Sequence, residues 1–267
     1  MLKLRFYLIS VILLSFIFTS CSSVPLTGRK QLRLIPENEV LSMSFDQYKA
    51  FLKDHKESTN AEQKAMVTRV GSKIAASVEN YLRQNNLAGE IPNYQWEYHL
   101  VVDSEANAWC MPGGKIVVYT GILPITQNES GLAVVLGHEI SHAVAHHGDE
   151  RMSQGLVAQL GGVALSEALK NKPQQTQDLF MLAYGVGAQL GVLLPYSRTQ
   201  ESEADHLGLI FMAMAGYDPH GALDFWQRMV QQSHGEPPTF LSDHPANQTR
   251  INDLRNEMPE AIKYFKK

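Results

Sequence analysis

The feature that most restricts the fold of this chain is the motif HEISH at residues 138–142. It lies in an apolar run that follows a capping-box pattern at residues 126–129, and this arrangement predicts a helix. On a helix, His138 and His142 are about 40° apart around the axis and about 6 Å apart along it. Both imidazoles can therefore reach one zinc ion, with Glu139 beside them to take a proton from a bound water.

A catalytic zinc site needs a third protein ligand and one position open to water. His146 is a poor candidate, because it lies eight residues after His138 and about 12 Å further along an unbroken helix. The ligand must therefore come from another part of the chain.

A second predicted helix, beginning near residue 197, supplies that ligand. Helical geometry places Glu201 and Asp205 on one face with Gly208, whereas Glu203 points about 200° away. We predict that Glu201 is the third ligand and that Asp205 accepts a hydrogen bond from a zinc-bound imidazole. Gly208 would let this helix approach the zinc helix closely. The alternative is an acidic surface face paired with Arg198.

Composition excludes several classes of protein. The 267 residues are 44% hydrophobic, and Lys and Arg number 23 against 27 Asp and Glu, for a net charge of -4. This balance argues against a nucleic-acid partner and against disorder. Because the chain has only two cysteines, a framework of several disulfides cannot be the source of its stability. Its length is sufficient for one domain with a substantial hydrophobic core.

The N-terminus has the pattern of an export signal. Two basic residues precede an apolar run at residues 6–18, and small polar residues follow. This run is about 13 residues long, whereas a bilayer span needs roughly 20. We therefore predict a cleaved signal peptide at residues 1–20, the alternative being a retained transmembrane anchor.

Residues 18–21, Phe-Thr-Ser-Cys, resemble the bacterial lipobox, although Leu is usual at the first position. The resemblance implies that Cys21 becomes lipid-modified and forms the new N-terminus, which leaves Cys110 as an isolated thiol. Ser22 resembles an outer-membrane sorting signal. Residues 21–36 read as a tether and residues 37–267 as the folded domain.

Periodicity predicts an α+β fold that is mostly α-helical. Helical spacing covers residues 37–86, and two strand-like segments at residues 95–102 and 115–119 flank a Pro-Gly-Gly turn. We expect a small antiparallel sheet or hairpin packed beside the HEISH helix. The apolar, glycine-rich residues 155–195 favour buried core helices over a membrane hairpin, because the longest apolar stretch is short and contains a glutamine.

Four motifs in order identify a family resemblance: residues 120–124 (TGILP), 137–142 (GHEISH), 197–205 (SRTQESEAD) and 243–245 (DHP). Together they resemble the zinc metallopeptidases related to CAAX prenyl endopeptidase and HtpX. The likeness extends to the branch of the mitochondrial overlapping-activity protease and bacterial periplasmic lipoproteins, and it covers about residues 93–250.

The resemblance implies a zincin-like, gluzincin-type fold and one zinc ion held by His138, His142 and Glu201. It also implies endopeptidase activity linked to protein quality control, and it places His244 in a loop near the zinc, where this residue regulates access. The alternative for His244 is a loop histidine bonded to backbone.

The predicted function is that of a zinc metalloendopeptidase of the bacterial cell envelope, lipid-anchored at the outer membrane and facing the periplasm. Its partners would be misfolded envelope polypeptides and the membrane. A substrate strand would add to an exposed edge near Asn107 and Ala108, the alternative being an ordinary hairpin with Trp109 in the core. The rival is a proteolytically silent or latent zinc-stabilised lipoprotein that acts as a chaperone or assembly factor.

Overall fold

The computed structural model describes residues 21–25, 27–189, 194–232, 238–245 and 247–265. The predicted signal peptide at residues 1–20 lies outside these ranges and stays a prediction. The strands are β1 (Cys21–Ser23), β2 (Lys30–Leu32), β3 (Glu97–Val101), β4 (Ala108–Met111) and β5 (Lys115–Tyr119). The helices are α1 (Glu37–Asp54), α2 (Ala61–Gln84), α3 (Leu123–Thr126), α4 (Glu129–Val144), α5 (His147–Leu169), α6 (Gln174–Ala188), α7 (Leu194–Met214), α8 (Gly221–Gln232), α9 (Thr239–Asp243) and α10 (Gln248–Ala261).

The chain divides into two compact units. The larger contains Asn38–Ala145 and the residues from Ser197 onward, and the smaller contains residues up to Glu37 together with His146–Tyr196. The predicted boundaries at residues 20 and 36 are not tested by this division and stay predictions. The HEISH helix α4 and most of α7 belong to the larger unit.

The core of the larger unit is built around α4. Its residues from Gly131 to Val144 are all buried, and the helix packs against α2, α8 and β4. Its N-cap is Asn128, whose Oδ1 accepts a hydrogen bond from the backbone N–H of Gly131, rather than the Thr126 of the predicted capping box. Because α4 is covered on every side, its polar side chains require partners inside the protein.

The sheet beside α4 is mixed rather than wholly antiparallel. Its strand order is β3-β5-β4, with β4 antiparallel and β3 parallel to β5. A hairpin is present at the predicted Pro-Gly-Gly turn, where Gly113 and Gly114 have positive φ, but the strand that enters the turn is β4 rather than the predicted residues 95–102. The expectation for β3 was wrong because the residues between β3 and β4 carry the chain past β5, so that β3 and β5 run in the same direction.

The start of the smaller unit forms a short β-hairpin that contacts α5. Strands β1 and β2 form an antiparallel hairpin, and β2 packs on α5. Arg29 binds both carboxylate oxygens of the buried Glu150, at 2.9 and 2.7 Å. Arg33 lies 3.1 Å from Asp149, and the backbone N–H of Leu34 donates to Ser153 Oγ. The segment that begins at β1 is thus fixed to the first turns of α5.

Helices α5 and α6 form an antiparallel pair whose apolar residues are not buried. Tyr184 Oη donates to the carbonyl of Ala158 across the pair. The prediction of buried core helices at residues 155–195 is therefore wrong for this pair, since seven large apolar side chains are exposed: Leu156, Val157, Leu160, Val163, Leu179, Phe180 and Leu182. No helix in the described ranges combines the length and apolar character that a membrane span requires.

Candidate active site

The HEISH motif places three polar side chains in the middle of the buried helix α4. His138, Glu139 and His142 are 2%, 4% and 6% exposed. Burial of such groups is unfavourable unless other polar groups or a metal ion surround them. The position of the motif in the core therefore indicates a site rather than a surface feature.

Helix α7 brings the predicted acids to the same place, because two glycines let its backbone approach that of α4. A Cβ on Gly208 would lie 3.0 Å from the backbone nitrogen of His138, and one on Gly137 would lie 2.9 Å from the carbonyl oxygen of Gly208. The close approach predicted for Gly208 is thus present. Glu201 and Asp205 of α7 both reach the imidazole of His138.

The three predicted ligands place their donor atoms in one small cluster. Nε2 of His138 and Nε2 of His142 are 3.1 Å apart. The carboxylate of Glu201 places Oε2 3.3 Å from the first and Oε1 3.3 Å from the second. Neighbouring ligands of a tetrahedral ion bound at about 2.0–2.1 Å are about 3.3–3.4 Å apart. The donor set therefore fits a tetrahedral metal site.

The charge around this cluster also suits a divalent cation. The carboxylates of Glu201 and Asp205 lie beside the guanidinium of Arg250, and the carboxylate of Glu139 lies beside His244, so that carboxylates outnumber guanidinium groups in this described part of the core. Burial raises the pKa of Glu201, but hydrogen bonds with the three histidines outweigh it and hold the pKa below its ordinary range. The carboxylate is ionised and available as a ligand.

Asp205 and Arg250 support His138 from the side away from the ligand cluster. Nδ1 of His138 lies 2.9 Å from Asp205 Oδ1. Arg250 donates to both oxygens of that carboxylate, at 2.6 and 2.7 Å, and its guanidinium stacks 3.6 Å from the ring centroid of Trp226. Burial lowers the pKa of His138, but the bonds to Asp205 and Glu201 raise it to about 9.

Sequence reasoning did not find Arg250 or Trp226. The signal that could have led to Arg250 is the predicted position of Asp205 beside a zinc-bound imidazole, since a carboxylate buried at such a site needs a cationic partner. The sequence offers 23 Lys and Arg residues for that role, and nothing in their spacing selects one.

His244 lies within the ligand cluster itself. Its Nδ1 is 3.0 Å from His138 Nε2 and 2.9 Å from Glu201 Oε2, and its Nε2 is 3.3 Å from Glu139 Oε1. The side chain is buried, and the four possible ligand atoms of His138, His142, Glu201 and His244 all lie within 4.8 Å of one another. His244 therefore stands where a fourth ligand would be.

The predicted substrate residues lie at the edge of the sheet. Strand β4 is the last strand in the order β3-β5-β4. The carbonyl of Asn107 accepts from the backbone N–H of Tyr119 in β5, but the N–H of Ala108 is bonded to Asn107 Oδ1 instead. Trp109 packs edge-to-face against Tyr48 and Phe51, so it belongs to the packing of the sheet. The side chain of Cys21 lies outside the described part of the structure.

Comparison with known sequences identifies the family. Residues 71–258 match the profile of Peptidase family M48. The chain belongs to peptidase family M48. Membership confirms a zincin-like metallopeptidase domain that is mostly helical, and it agrees with the possible metal site formed by His138, His142 and Glu201.

Relatives of this M48 chain include mitochondrial and bacterial peptidases. It is 30% identical to the mitochondrial metalloendopeptidase OMA1 of Schizosaccharomyces pombe over 251 residues. This alignment covers 92% of this chain and 69% of the relative. It is 31% identical over 256 residues to OMA1 of Homo sapiens, covering 93% of this chain and 48% of the relative. It is 33% identical over 166 residues to the beta-barrel assembly-enhancing protease of Yersinia pestis, covering 60% of this chain and 34% of the relative. The chain thus spans about half the length of the human relative.

Proposed function

We propose that this M48 protein is a zinc-dependent endopeptidase of the bacterial cell envelope that cleaves misfolded or unassembled proteins. The observation that carries the proposal is the cluster of His138 Nε2, His142 Nε2 and Glu201 carboxylate oxygens, 3.1–3.3 Å apart, with Glu139 beside it. These three residues would hold one zinc ion per chain.

When bound, zinc would polarise the scissile carbonyl and lower the pKa of an attacking water toward about 7. The Glu139 carboxylate would accept the proton of that water and then deliver it to the leaving amine. Its position supports this role, because it neighbours both histidine ligands on α4 and its Oε1 faces the cluster at 3.3 Å from His244 Nε2. Asp205 would hold the imidazole of His138 in one orientation.

The outer edge of β4 would receive the substrate as an added strand. Ala108 directs its backbone N–H away from β5, where the side chain of Asn107 now satisfies it. An extended polypeptide could replace that bond, and backbone hydrogen bonds would tolerate many sequences. This suits the recognition of misfolded chains.

The location in the envelope is supported by sequence patterns and by a relative. The export-signal pattern at residues 1–20 and the lipobox-like Cys21 indicate a lipid anchor, and Ser22 indicates the outer membrane facing the periplasm. The name of the Yersinia pestis relative refers to β-barrel assembly, whereas the OMA1 relatives are mitochondrial. We therefore propose unassembled outer-membrane proteins as the substrates.

The test is cleavage of casein and of an unfolded outer-membrane protein by the wild type and by Glu139→Gln. We expect the variant to retain zinc at one ion per chain but to lose cleavage, whereas Glu62→Gln on the exposed face of α2 should leave cleavage unchanged. Chelation should abolish wild-type cleavage, and added zinc should restore it. Chelator-insensitive cleavage, or full activity of Glu139→Gln, would refute the mechanism.

The position of His244 favours a second proposal, that the described conformation is latent. The imidazole stands beside the proposed ligands and contacts the proposed base, so it would occupy the position that an attacking water needs. The same segment is bonded to the substrate edge, because the N–H of Phe240 donates to the carbonyl of Ala106. His244→Ala should then increase casein cleavage while zinc content stays at one per chain. Unchanged or lower cleavage would refute latency, and a fully silent protein in both forms would favour the chaperone alternative.

A further inference from the structure

The pair α5 and α6 carries an unusual concentration of exposed apolar side chains. Among the described residues, ten large hydrophobic side chains are exposed, and seven of them lie on these two helices. On α5 they occupy positions 156, 157, 160 and 163, which is the spacing of one helical face. The opposite side of α5 uses Ala158 and Gly161 to contact Tyr184 of α6. The pair is thus apolar both inside and outside.

The charged residues of this hairpin are confined to its tip. Between residues 152 and 188 the sequence contains Glu167, Lys170, Lys172 and Asp178, which lie in the last turn of α5, the connection and the early part of α6. Glu167 is paired with Lys170, and Asp178 accepts from Gln174. Away from this tip, the exposed surfaces of both helices therefore carry no charged side chain that a protein partner could bind. An exposed apolar surface of this kind normally marks an interaction site.

The lipobox-like cysteine lies in the same compact unit as this surface. Cys21 begins β1, which pairs with β2, and β2 packs on α5. Three links fix this hairpin to the first turns of α5, from Arg29 to Glu150, from Arg33 to Asp149 and from Leu34 to Ser153. The first exposed apolar residue, Leu156, follows Ser153 by less than one helical turn. A lipid on Cys21 would therefore hold this surface at the membrane.

We propose that the exposed apolar face of α5 and α6 lies in the acyl-chain boundary of a phospholipid bilayer, as a second membrane contact beside the lipid of Cys21. The proposal rests on the lipid attachment proposed above. An interfacial position would bury these side chains without requiring either helix to cross the bilayer. A lipid anchor and an apolar helical face strengthen each other's membrane binding, because the anchor raises the local concentration of the helical face at the bilayer surface.

The test measures acyl-chain contact at single positions of the full chain. Cys110 is replaced by Ser, and Val163→Cys, Leu182→Cys and Met43→Cys are introduced one at a time for labelling with a small fluorophore. Met43 is the matched control, since it is apolar and 46% exposed but lies on α1 of the other unit. The labelled proteins are bound to vesicles of phosphatidylethanolamine and phosphatidylglycerol whose acyl chains carry bromine, which quenches a fluorophore on contact. The fluorescence of the label should be lost at positions 163 and 182 and retained at position 43.

Failure of the two proposals can be told apart. In the parent with Cys110→Ser, an acylated Cys21 has no thiol to label, so dye on that residue refutes the lipid anchor. The quenching comparison is then made with Cys21→Ser added, so that each variant carries one label. Vesicle-bound protein that keeps full emission at 163 and 182 would overturn the present proposal, as would failure to bind vesicles. A concentration-dependent change of emission without vesicles would show that a second copy covers the face, and this also overturns it. Leu160→Glu with Leu182→Glu should abolish quenching at 163, whereas Met43→Glu should not.

Discussion

Asp205 Oδ1 lies 2.9 Å from His138 Nδ1, so that a carboxylate on α7 orients an imidazole on α4. This bond selects the nitrogen of His138 that carries the proton and leaves Nε2 to face Glu201 and His142. Carboxylates in this position raise the basicity of a metal-binding imidazole and restrict its rotation.

Replacement of Asp205 by Asn should weaken zinc binding by about 10- to 100-fold, because the amide keeps the shape but loses the charge. Competition with a fluorescent zinc chelator measures the change. Asp253→Asn on the exposed face of α10 is the control and should leave the affinity unchanged. Wild-type affinity in the Asp205 variant would contradict the orienting role.

Replacement of Arg250 by Ala should destabilise the protein by about 3–5 kcal/mol, because it leaves the buried Asp205 carboxylate without its cation. Arg250→Lys keeps the charge but not both bonds to the carboxylate, so its loss should be smaller. Urea unfolding of the zinc-saturated protein gives both values. Arg255→Ala, which removes an exposed side chain bonded to Asn252, should change the stability by less than about 0.5 kcal/mol. Equal effects of the 250 and 255 substitutions would contradict the pairing.

Replacement of Gly208 by Ala should cost about 1–3 kcal/mol, because the new methyl group would lie 3.0 Å from the His138 backbone nitrogen and force α4 and α7 apart. Zinc affinity should fall with it, since Glu201 is carried on α7. Gly155→Ala is the matched control on a helix with open space around the site, and it should stabilise the protein by about 0.5–1 kcal/mol. Thermal unfolding and zinc titration test both variants, and a neutral Gly208→Ala would refute the close contact.

Glu257 should make stability fall as pH rises from about 4.5 to about 7. Burial, and then the charges of Asp205, Asp253 and Glu260, raise the pKa of this carboxyl from 4.5 to about 7. The folded state therefore binds the proton more tightly than the unfolded state, so the favourable contribution is complete below 4.5 and is lost by about pH 7.

Glu257→Gln removes this ionisation. Near pH 8 the variant should be more stable than the wild type by about 1–2 kcal/mol, a value reduced because the Glu257 side chain is one-quarter exposed to solvent. Near pH 4 the two proteins should have equal stability. Urea unfolding at both pH values gives the comparison, with Glu62→Gln as the control. A constant difference between Glu257→Gln and wild type across this range would contradict the assignment.

Several parts of the site were predictable because they depend on helical spacing. The four-residue intervals from His138 to His142 and from Glu201 to Asp205 set which side chains share a face, whatever surrounds the helix. Gly208 was predictable for the same reason. The turn between β4 and β5 was predictable from Gly113 and Gly114, because glycine readily adopts positive φ.

Other features depended on contacts between segments far apart in the chain. The direction of β3 relative to β5 was set by the path of the connection. The choice of Arg250 as the partner of Asp205 was set by the packing of α10 on α8. The exposed face of α5 and α6 has the same apolar composition as a buried one, so composition alone predicted burial. The sequence determined the metal-binding chemistry, because local periodicity places those side chains, whereas only the tertiary structure decided which groups surround them and which apolar surfaces remain uncovered.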